Sequence, residues 1–361
     1  MSQQSTQTFR VAVIPVTGFQ QNCSLVYDTV SKRGAVVDPG GDVEMIMEAI
    51  GKMGLTIEKI LLTHGHIDHA GGAAELREKL GVTIEGPHEA DKYLLDNLPQ
   101  SGARYGMLTA REVAYLLAFS GARMMAWDGE LDVLPAPEGT AVLGPDDIAR
   151  LKRAPLGSYA GTAADDPAYL IFTSGTSGTP KGVLHGQRAI WGRRPMYQGW
   201  YGIGPADVVL HTGAFNWTYT LGTGLIDPWA NGATSIIYAG TKSPEIWPAL
   251  IRSSGATLFA AVPSLMRQIL KYAAPGPIDL GKLRHGLIAG EKPPPDLFDV
   301  WKSRTGTELY EALGMSEIST YISTSPTVPR KGHTAGKPQK GRRIVILPVE
   351  DGTDPLPPGQ E

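Results

Sequence analysis

The sequence predicts an α/β protein whose larger part is a mostly parallel, doubly wound sheet with helices on both faces. Three observations carry this. From Ala168 onward, short apolar runs alternate with segments of helical spacing, the pattern of βαβ units. The first hundred residues show strand and helix signals too, but they run into a cluster of histidines. Between these parts, around Tyr105–Leu108, the character of the chain changes, which divides it into residues 1–106 and 107–361. The length of 361 residues suits two or three domains, and 44 glycines and 28 prolines supply the loops.

In the first part, Phe9–Pro15, Cys23–Asp28 and Gly34–Asp38 read as strands, and Asp38-Pro39-Gly40-Gly41 reads as a turn. Val43–Met53 has helical spacing with Gly54 as its stop. Lys59–Thr63 is strand-like and leads into His64-Gly65-His66-Ile67-Asp68-His69; Ala73–Leu80 then reads as a helix ended by Gly81. Three histidines and an aspartate within six residues at a strand end point to a metal site. Imidazole nitrogen and carboxylate oxygen are the donors zinc takes, at about 2.0–2.2 Å, and Gly65 lets neighbouring side chains converge.

The run resembles the HxHxDH motif of the metallo-β-lactamase superfamily. Its surroundings (IPVTGFQQNCSLVYD, VVDPGGD, ILLTHGHIDHAGG) resemble the glyoxalase II-like thioesterase branch. The resemblance implies a partial metallo-β-lactamase-like fold, with His64 and His66 on one zinc and Asp68 and His69 on a second. In that family, water activated by the metal attacks a thioester carbonyl. The family's further histidine, bridging aspartate and final histidine do not follow; the later histidines are His88, His185, His211, His285 and His333. Each zinc would keep two protein ligands, fewer than working sites have, so the expectation is weak or absent zinc binding and no efficient hydrolysis.

Leu108–Ala122 reads as a helix capped by Thr109, with Glu112 at the capping-box spacing and Gly121 as terminator. Asp132–Gly157 reads as a connecting segment with one helix-like piece, Asp146–Lys152. Beyond it, Ala168–Thr173, Asp207–Thr212, Ala233–Ala239, Ala256–Val262 and His285–Ala289 read as strands. Ser243–Ser254 reads as a helix with Ser243 at the cap, Pro244 at the first position and Gly255 at the stop. Pro263–Tyr272 and Asp296–Ser303 are two more helices, and Arg342–Val349 with the DGTDPLPPG turn reads as a final β-hairpin.

The stretch YLIFTSGTSGTPKGV (Tyr169–Val183) closes an apolar strand with a loop of hydroxyls and glycines. Thr173, Ser174, Thr176, Ser177 and Thr179 offer hydroxyl donors, Gly175 and Gly178 bring backbone N–H groups close, and Lys181 adds a charge, which suits a polyphosphate. Pro180 excludes the Walker P-loop. This block resembles the phosphate loop of the adenylate-forming superfamily: acyl- and aryl-CoA synthetases, luciferases and peptide-synthetase adenylation domains. Further segments follow in family order. HTGAFNWTYTLGT resembles the acyl-pocket lining, where Phe215, Trp217 and Tyr219 either wall an acid or pack the core. Ala289-Gly290-Glu291-Lys292 resembles the segment along adenine and ribose, although a plain strand-to-helix turn has the same look. YEALGMSE resembles the aromatic-Gly-x-Thr-Glu motif. By that resemblance Leu313 would stand in for the usual aromatic over adenine, Gly314 and Met315 would line the nucleotide, Ser316 would replace threonine near the α-phosphate, and Glu317 would hold Mg²⁺.

The resemblance implies the large domain of an adenylate-forming enzyme with the small C-terminal domain absent. It also implies ATP, Mg²⁺, coenzyme A and a carboxylic acid as cofactors and substrates. A carboxylate attacks the α-phosphorus, pyrophosphate leaves, and a thiol takes the acyl group. Lys181, Ser316 and Glu317 would act on the α-phosphate, with activity expected to be impaired because the ribose-binding aspartate and the lysine domain do not appear. A zinc thioester hydrolase and an inactive chimeric or fusion product are the competing readings. A net charge of −3 argues against nucleic acid. One cysteine, Cys23, no signal pattern and no apolar run long enough to span a membrane fit a soluble cytoplasmic protein. A half-sandwich in front would expose an apolar face, so self-association is expected.

Overall fold

The structure, a computed structural model, describes residues 8–16, 21–65, 67–92, 95, 110–127, 136–173, 181–240, 242–332, 334–348 and 354–357. The chain divides into two units. One gathers Met1–Gly161, Phe172–Gly182 and Gly240–Ser243, and the other Thr162–Ile171, Val183–Ala239 and Pro244–Glu361.

In the first unit β1 (Phe9–Val16), β2 (Gln21–Asp28), β3 (Arg33–Val37), β4 (Thr56–Leu61) and β5 (Thr83–Glu85) lie side by side in that order. β1–β2–β3 are antiparallel and β3–β4–β5 parallel. Parallel neighbours need a crossover. α1 (Val43–Met53) supplies the first, and the single turn α2 (Ile67–Ala70) with α3 (Ala73–Leu80) supplies the second. α1 ends where expected, on Gly54 at φ 61°. Ile46, Ile50 and Leu76 on these helices bury against Cys23, Leu25, Val36 and Ile60, each contributing about 1.5–3 kcal/mol. On the edge strand β1, among the described residues, Phe9, Val11 and Val13 are 68%, 60% and 54% exposed. These three side chains form an exposed apolar row on β1. α4 (Ala110–Ser120) realises the helix expected over 108–122, and Gly121 closes it at φ 62°. Thr109, its expected cap, lies outside the described residues. A short parallel pair follows, β6 (Met124–Ala126) with β7 (Ala141–Leu143), and then α5 (Pro145–Leu151). β8 (Pro167–Thr173) and β9 (Lys181–Gly186), whose residues are divided between the two units, form a separate two-stranded sheet.

The second unit is built on a seven-stranded sheet. Its strands are β10 (Val208–His211), β11 (Thr234–Ile236), β12 (Leu258–Ala261), β13 (His285–Ile288), β14 (Glu308–Met315), β15 (Ser319–Ser323) and β16 (Lys337–Pro338), ordered β11-β10-β12-β13-β14-β15-β16. The first five in that order are parallel; β14, β15 and β16 are antiparallel neighbours. Every residue of β12 and β13 is buried, as expected for strands covered on both faces. On one face α6 (Ile246–Ser254), α7 (Pro263–Tyr272) and α8 (Leu297–Thr305) pack Trp247, Ile251, Met266 and Trp301 against Leu210, Phe259, Ile288 and Leu309. On the other, Trp200, Tyr201 and Tyr219 meet Val209, Leu258, Ala260 and Leu287. His285 opens β13 only 3% exposed, with Nε2 donating to the Tyr201 carbonyl at 2.9 Å. Burial, with the nearby Arg284 charge, pushes its imidazole down to about 4.

Two expectations need correction. α6 starts at Ile246 with Glu245 at its cap, not at Pro244 after Ser243. The cause is Pro248. In a helix beginning at Pro244 its missing N–H would break the bond to the carbonyl four residues back and its ring would strike that carbonyl, whereas in a helix starting at 246 it sits harmlessly in the first turn. The expected hairpin over 342–349 is not a strand pair in the described residues; one backbone bond, Leu356 N–H to the Ile346 carbonyl at 2.8 Å, closes that loop. Among the described residues no helix is long and apolar enough to cross a membrane.

Candidate functional site

Each unit carries a candidate site at the carboxyl ends of parallel strands, where ligands of such sheets gather. In the first unit β3 and β4 are adjacent and parallel, so Asp38 after β3 and Thr63–His64 after β4 emerge at one edge. Asp38 is buried. Its Oδ1 accepts the Thr63 N–H at 2.8 Å, its Oδ2 accepts the Thr63 hydroxyl at 2.6 Å, and His69 Nδ1 lies 3.0 Å from Oδ2. His64 Nδ1 is 3.0 Å from Thr63 Oγ1, and its ring lies 3.8 Å from that of His69, centre to centre. Gly40 is required here, because a Cβ on it would sit 1.7 Å from the Asp68 carbonyl oxygen.

Burial would lower the His69 imidazole, but its bond to Asp38 and the charges of Asp68 and Asp38 outweigh that and raise it. Burial would likewise raise Asp38, and the bonds from His69 and Thr63 bring it below its usual value. Asp38, His64 and His69 offer donor atoms within 4.8 Å of one another. With both Asp38 oxygens committed, Asp38 is better suited to orienting His69 through Nδ1, the usual outer-shell partnership of a ligating histidine. That leaves Nε2, 3.6 Å from Asp68 Oδ2. A tetrahedral zinc with bonds of about 2.1 Å spaces its donors about 3.4 Å apart, so Asp68 and His69 fit one edge of such a site. His66 lies outside the described residues. The sequence reading missed Asp38, taking it for part of a turn; a carboxylate ending the strand beside the histidine-bearing one is the signal that would have found it.

In the second unit three segments rise from strand ends of one sheet: Phe215 and Trp217 beyond β10, Gly290–Lys292 beyond β13, and Leu313–Glu317 at the end of β14. Gly290 has φ 97°, and a Cβ there would lie 2.6 Å from Trp217 Cη2, so the indole rests on bare backbone. Phe215 and Trp217 are half-buried. Tyr219 is a core residue, its hydroxyl donating to the carbonyls of Leu287 at 3.0 Å and Ala261 at 3.3 Å. Glu291 accepts the Ser264 N–H in the first turn of α7; Lys292 is exposed. The β14–β15 ladder slips at Leu313/Gly314, and Leu313, Met315 and Glu317 are exposed, with Ser316 half-buried. His185 Nε2 donates to the Ser316 carbonyl at 2.9 Å, and its ring stacks on Tyr169 at 4.6 Å. Burial lowers the His185 imidazole against the pull of that bond and of Glu317. Of the phosphate-loop residues, Thr173 ends β8 and Lys181, exposed, begins β9; the Thr173 hydroxyl reaches the Lys181 carbonyl at 3.4 Å. Ser174, Gly175, Thr176, Ser177 and Gly178 lie outside the described residues.

Residues 103–361 match the AMP-binding enzyme family and residues 16–178 the metallo-beta-lactamase superfamily. The chain is 45% identical over 97 residues to hydroxyacylglutathione hydrolase GloC of Haemophilus influenzae, covering 27% of this chain and 45% of that protein. It is 27% identical over 271 residues to 3-hydroxybenzoate--CoA ligase of Aromatoleum sp., covering 70% of this chain and 52% of the ligase. Benzoate--CoA ligase of Thauera aromatica is 30% identical over 263 residues, 69% of this chain and 50% of that one. The chain thus spans about half the length of these curated relatives. Among solved structures, a benzoate CoA ligase from Burkholderia xenovorans LB400 superposes with TM-score 0.62 at 22% identity over 88% of this chain and 63% of that one, a likeness of fold.

Proposed function

Because the chain belongs to the AMP-binding enzyme family, we propose that it serves the ATP-dependent activation of a carboxylic acid to an acyl-adenylate and its transfer to coenzyme A. The observation that carries this is the convergence of three motif segments on the carboxyl ends of parallel strands in the matched region. Phe215 and Trp217 take the acid. Gly290 and the exposed Leu313–Met315 segment lie along the nucleotide, with Glu291 and Lys292 beside them. The family pattern assigns the phosphates to Thr173 and residues 174–178. The family pattern assigns to Lys181, and separately to Ser316, a part in meeting the negative charge that grows at the α-phosphate as the acid's oxygen attacks and pyrophosphate departs. Mg²⁺, when bound at Glu317, supplies further neutralisation between the phosphates. We place the change from one family to the other near residue 106. Acid-dependent exchange of pyrophosphate into ATP, with aromatic and short aliphatic acids, tests the reading. Exchange that Glu317→Gln abolishes supports it; no exchange and no ATP binding with any acid overturns it.

A second reading, metal-dependent thioester hydrolysis, is favoured by the Asp38–His64–His69 cluster and the match to a hydroxyacylglutathione hydrolase. In it Asp68 and His69 hold zinc, which supplies an activated water, and Asp38 fixes the His69 ring. We rank it second because, among the described residues, Asp68 and His69 are the two donors at zinc spacing, and two donors hold a metal weakly. Stoichiometric zinc in purified protein, with hydrolysis of a glutathione thioester, would reverse that order.

A further inference from the structure

The proposed reaction leaves a buried polar assembly beneath the Ser316–Ser319 turn without a role. Arg193 is 3% exposed and Asp227 wholly buried. Their pairing is bidentate, Nε to Oδ1 at 2.8 Å and Nη2 to Oδ2 at 2.6 Å. Tyr201 donates to Asp227 Oδ2 at 2.7 Å and lies 2.9 Å from Thr223 Oγ1. The guanidinium is packed so closely that a Cβ on Gly222 would fall 1.9 Å from Nη2. Its remaining arm, Nη1, donates to Ser319 Oγ. Ser319 has φ 63°, a left-handed conformation that serine adopts at a cost.

A buried ion pair is weak evidence for added stability, because desolvation offsets the attraction. What this one does supply is a donor in a fixed place. Three residues before Ser319, His185 supplies the other, its Nε2–H on the Ser316 carbonyl at 2.9 Å and its ring held flat against Tyr169. The turn between them has little apolar packing of its own, since Met315 and Ile318 are exposed. Its charged member between the two anchors, also exposed, is Glu317.

We propose that His185 and Arg193 are positioning residues that grip the two ends of the Ser316–Ser319 turn and so preset the Glu317 carboxylate for the magnesium complex of a nucleoside triphosphate. This rests on the reading of Glu317 given above. Held at one end only, the turn swings, and the carboxylate must be ordered at the moment of binding, which weakens it.

The test is calorimetric titration of the full chain with ATP, once with Mg²⁺ and once with EDTA. Ser319→Ala removes the anchor of Arg193 without touching the buried pair. His185→Phe keeps a ring against Tyr169 and loses the donor, whereas His185→Gln restores a donor near Nε2. The first two variants should weaken ATP binding about tenfold in Mg²⁺ and leave it unchanged in EDTA. His185→Gln should recover most of the loss, and Ser319→Ala should add nothing to Glu317→Gln. If Glu317→Gln loses Mg²⁺-dependent affinity while Ser319→Ala and His185→Phe bind as the parent does, or if His185→Gln fails to rescue, the positioning role is wrong and the reading of Glu317 stands. If Glu317→Gln binds as the parent does, or the parent binds no ATP, both fall together.

Discussion

Acidification from pH 7 to pH 4 should destabilise the second unit by an amount assignable to one residue, His285. Its imidazole titrates at about 4 in the folded chain and near 6.5 when unfolded. The folded value is the lower one, so as the pH falls the unfolded chain takes up the proton first. The stability is therefore fully present above about pH 6.5 and is lost progressively as the pH drops toward 4. A difference of about 2.5 units at 1.36 kcal/mol each gives about 3 kcal/mol. The geometry accounts for it: a charged ring at 3% exposure would keep its bond to the Tyr201 carbonyl but lose its water, with Arg284 next in sequence adding like charge. Urea melts followed by tryptophan fluorescence report chiefly on this unit, since Trp191, Trp200, Trp217, Trp229, Trp247 and Trp301 belong to it and only Trp127 to the other. His285→Gln keeps a donor toward Tyr201 and cannot titrate, so its melts should change less over this range, the gap from the parent closing by about 3 kcal/mol. Carboxylates such as Asp207 titrate alike in both proteins and cancel in the comparison. Parallel pH profiles within about 1 kcal/mol would refute the account.

Asp227→Ala should cost about 3–5 kcal/mol by leaving the Arg193 guanidinium buried without its partner; a urea midpoint unchanged at neutral pH would show that water reaches the site. Lys181→Ala should weaken ATP binding about tenfold or more, as loss of a cation on the phosphates does; calorimetry reads it, and unchanged affinity removes Lys181 from the site. Gly290→Ala should displace the Trp217 indole, whose nearest atom lies 2.6 Å from the added Cβ, and so alter which acids support exchange; an unaltered acid profile would mean that the indole does not border the acid. Val11→Lys should reduce self-association seen by sedimentation, because Val11 sits in the open apolar row of β1; a parent chain that is monomeric at micromolar concentration would contradict this.

What local pattern controls was legible. The buried parallel strands announced themselves as apolar runs, and Gly54, Gly81, Gly121 and Gly255 each close a helix in the left-handed conformation the reading required. Register, sheet order and long-range polar contacts were not. Asp38 meets Thr63 and His69 across 25 and 31 residues, and nothing within the Asp-Pro-Gly-Gly turn distinguishes a carboxylate that binds from one that merely turns the chain. Arg193 lies in a Gly-Arg-Arg-Pro stretch with the look of a solvated loop, yet one arginine is buried and its neighbour Arg194 lies over the Trp191 ring. Tyr219 was equally fit for pocket or core until its hydroxyl was seen on the carbonyls of β12 and β13. Pro248 is the exception: its signal is local, and it moves the start of α6 to Ile246.

The squeeze between position 222 and the guanidinium has a consequence for descent. A side chain at 222 and an arginine at 193 exclude each other, and an arginine at 193 in turn demands an acid at 227. The three positions form a lock that single steps do not open: enlarging 222 ejects the arginine and strands the aspartate. Chains related to this one should therefore divide into those keeping all three residues and those that have exchanged all three for apolar filling, with intermediates rare.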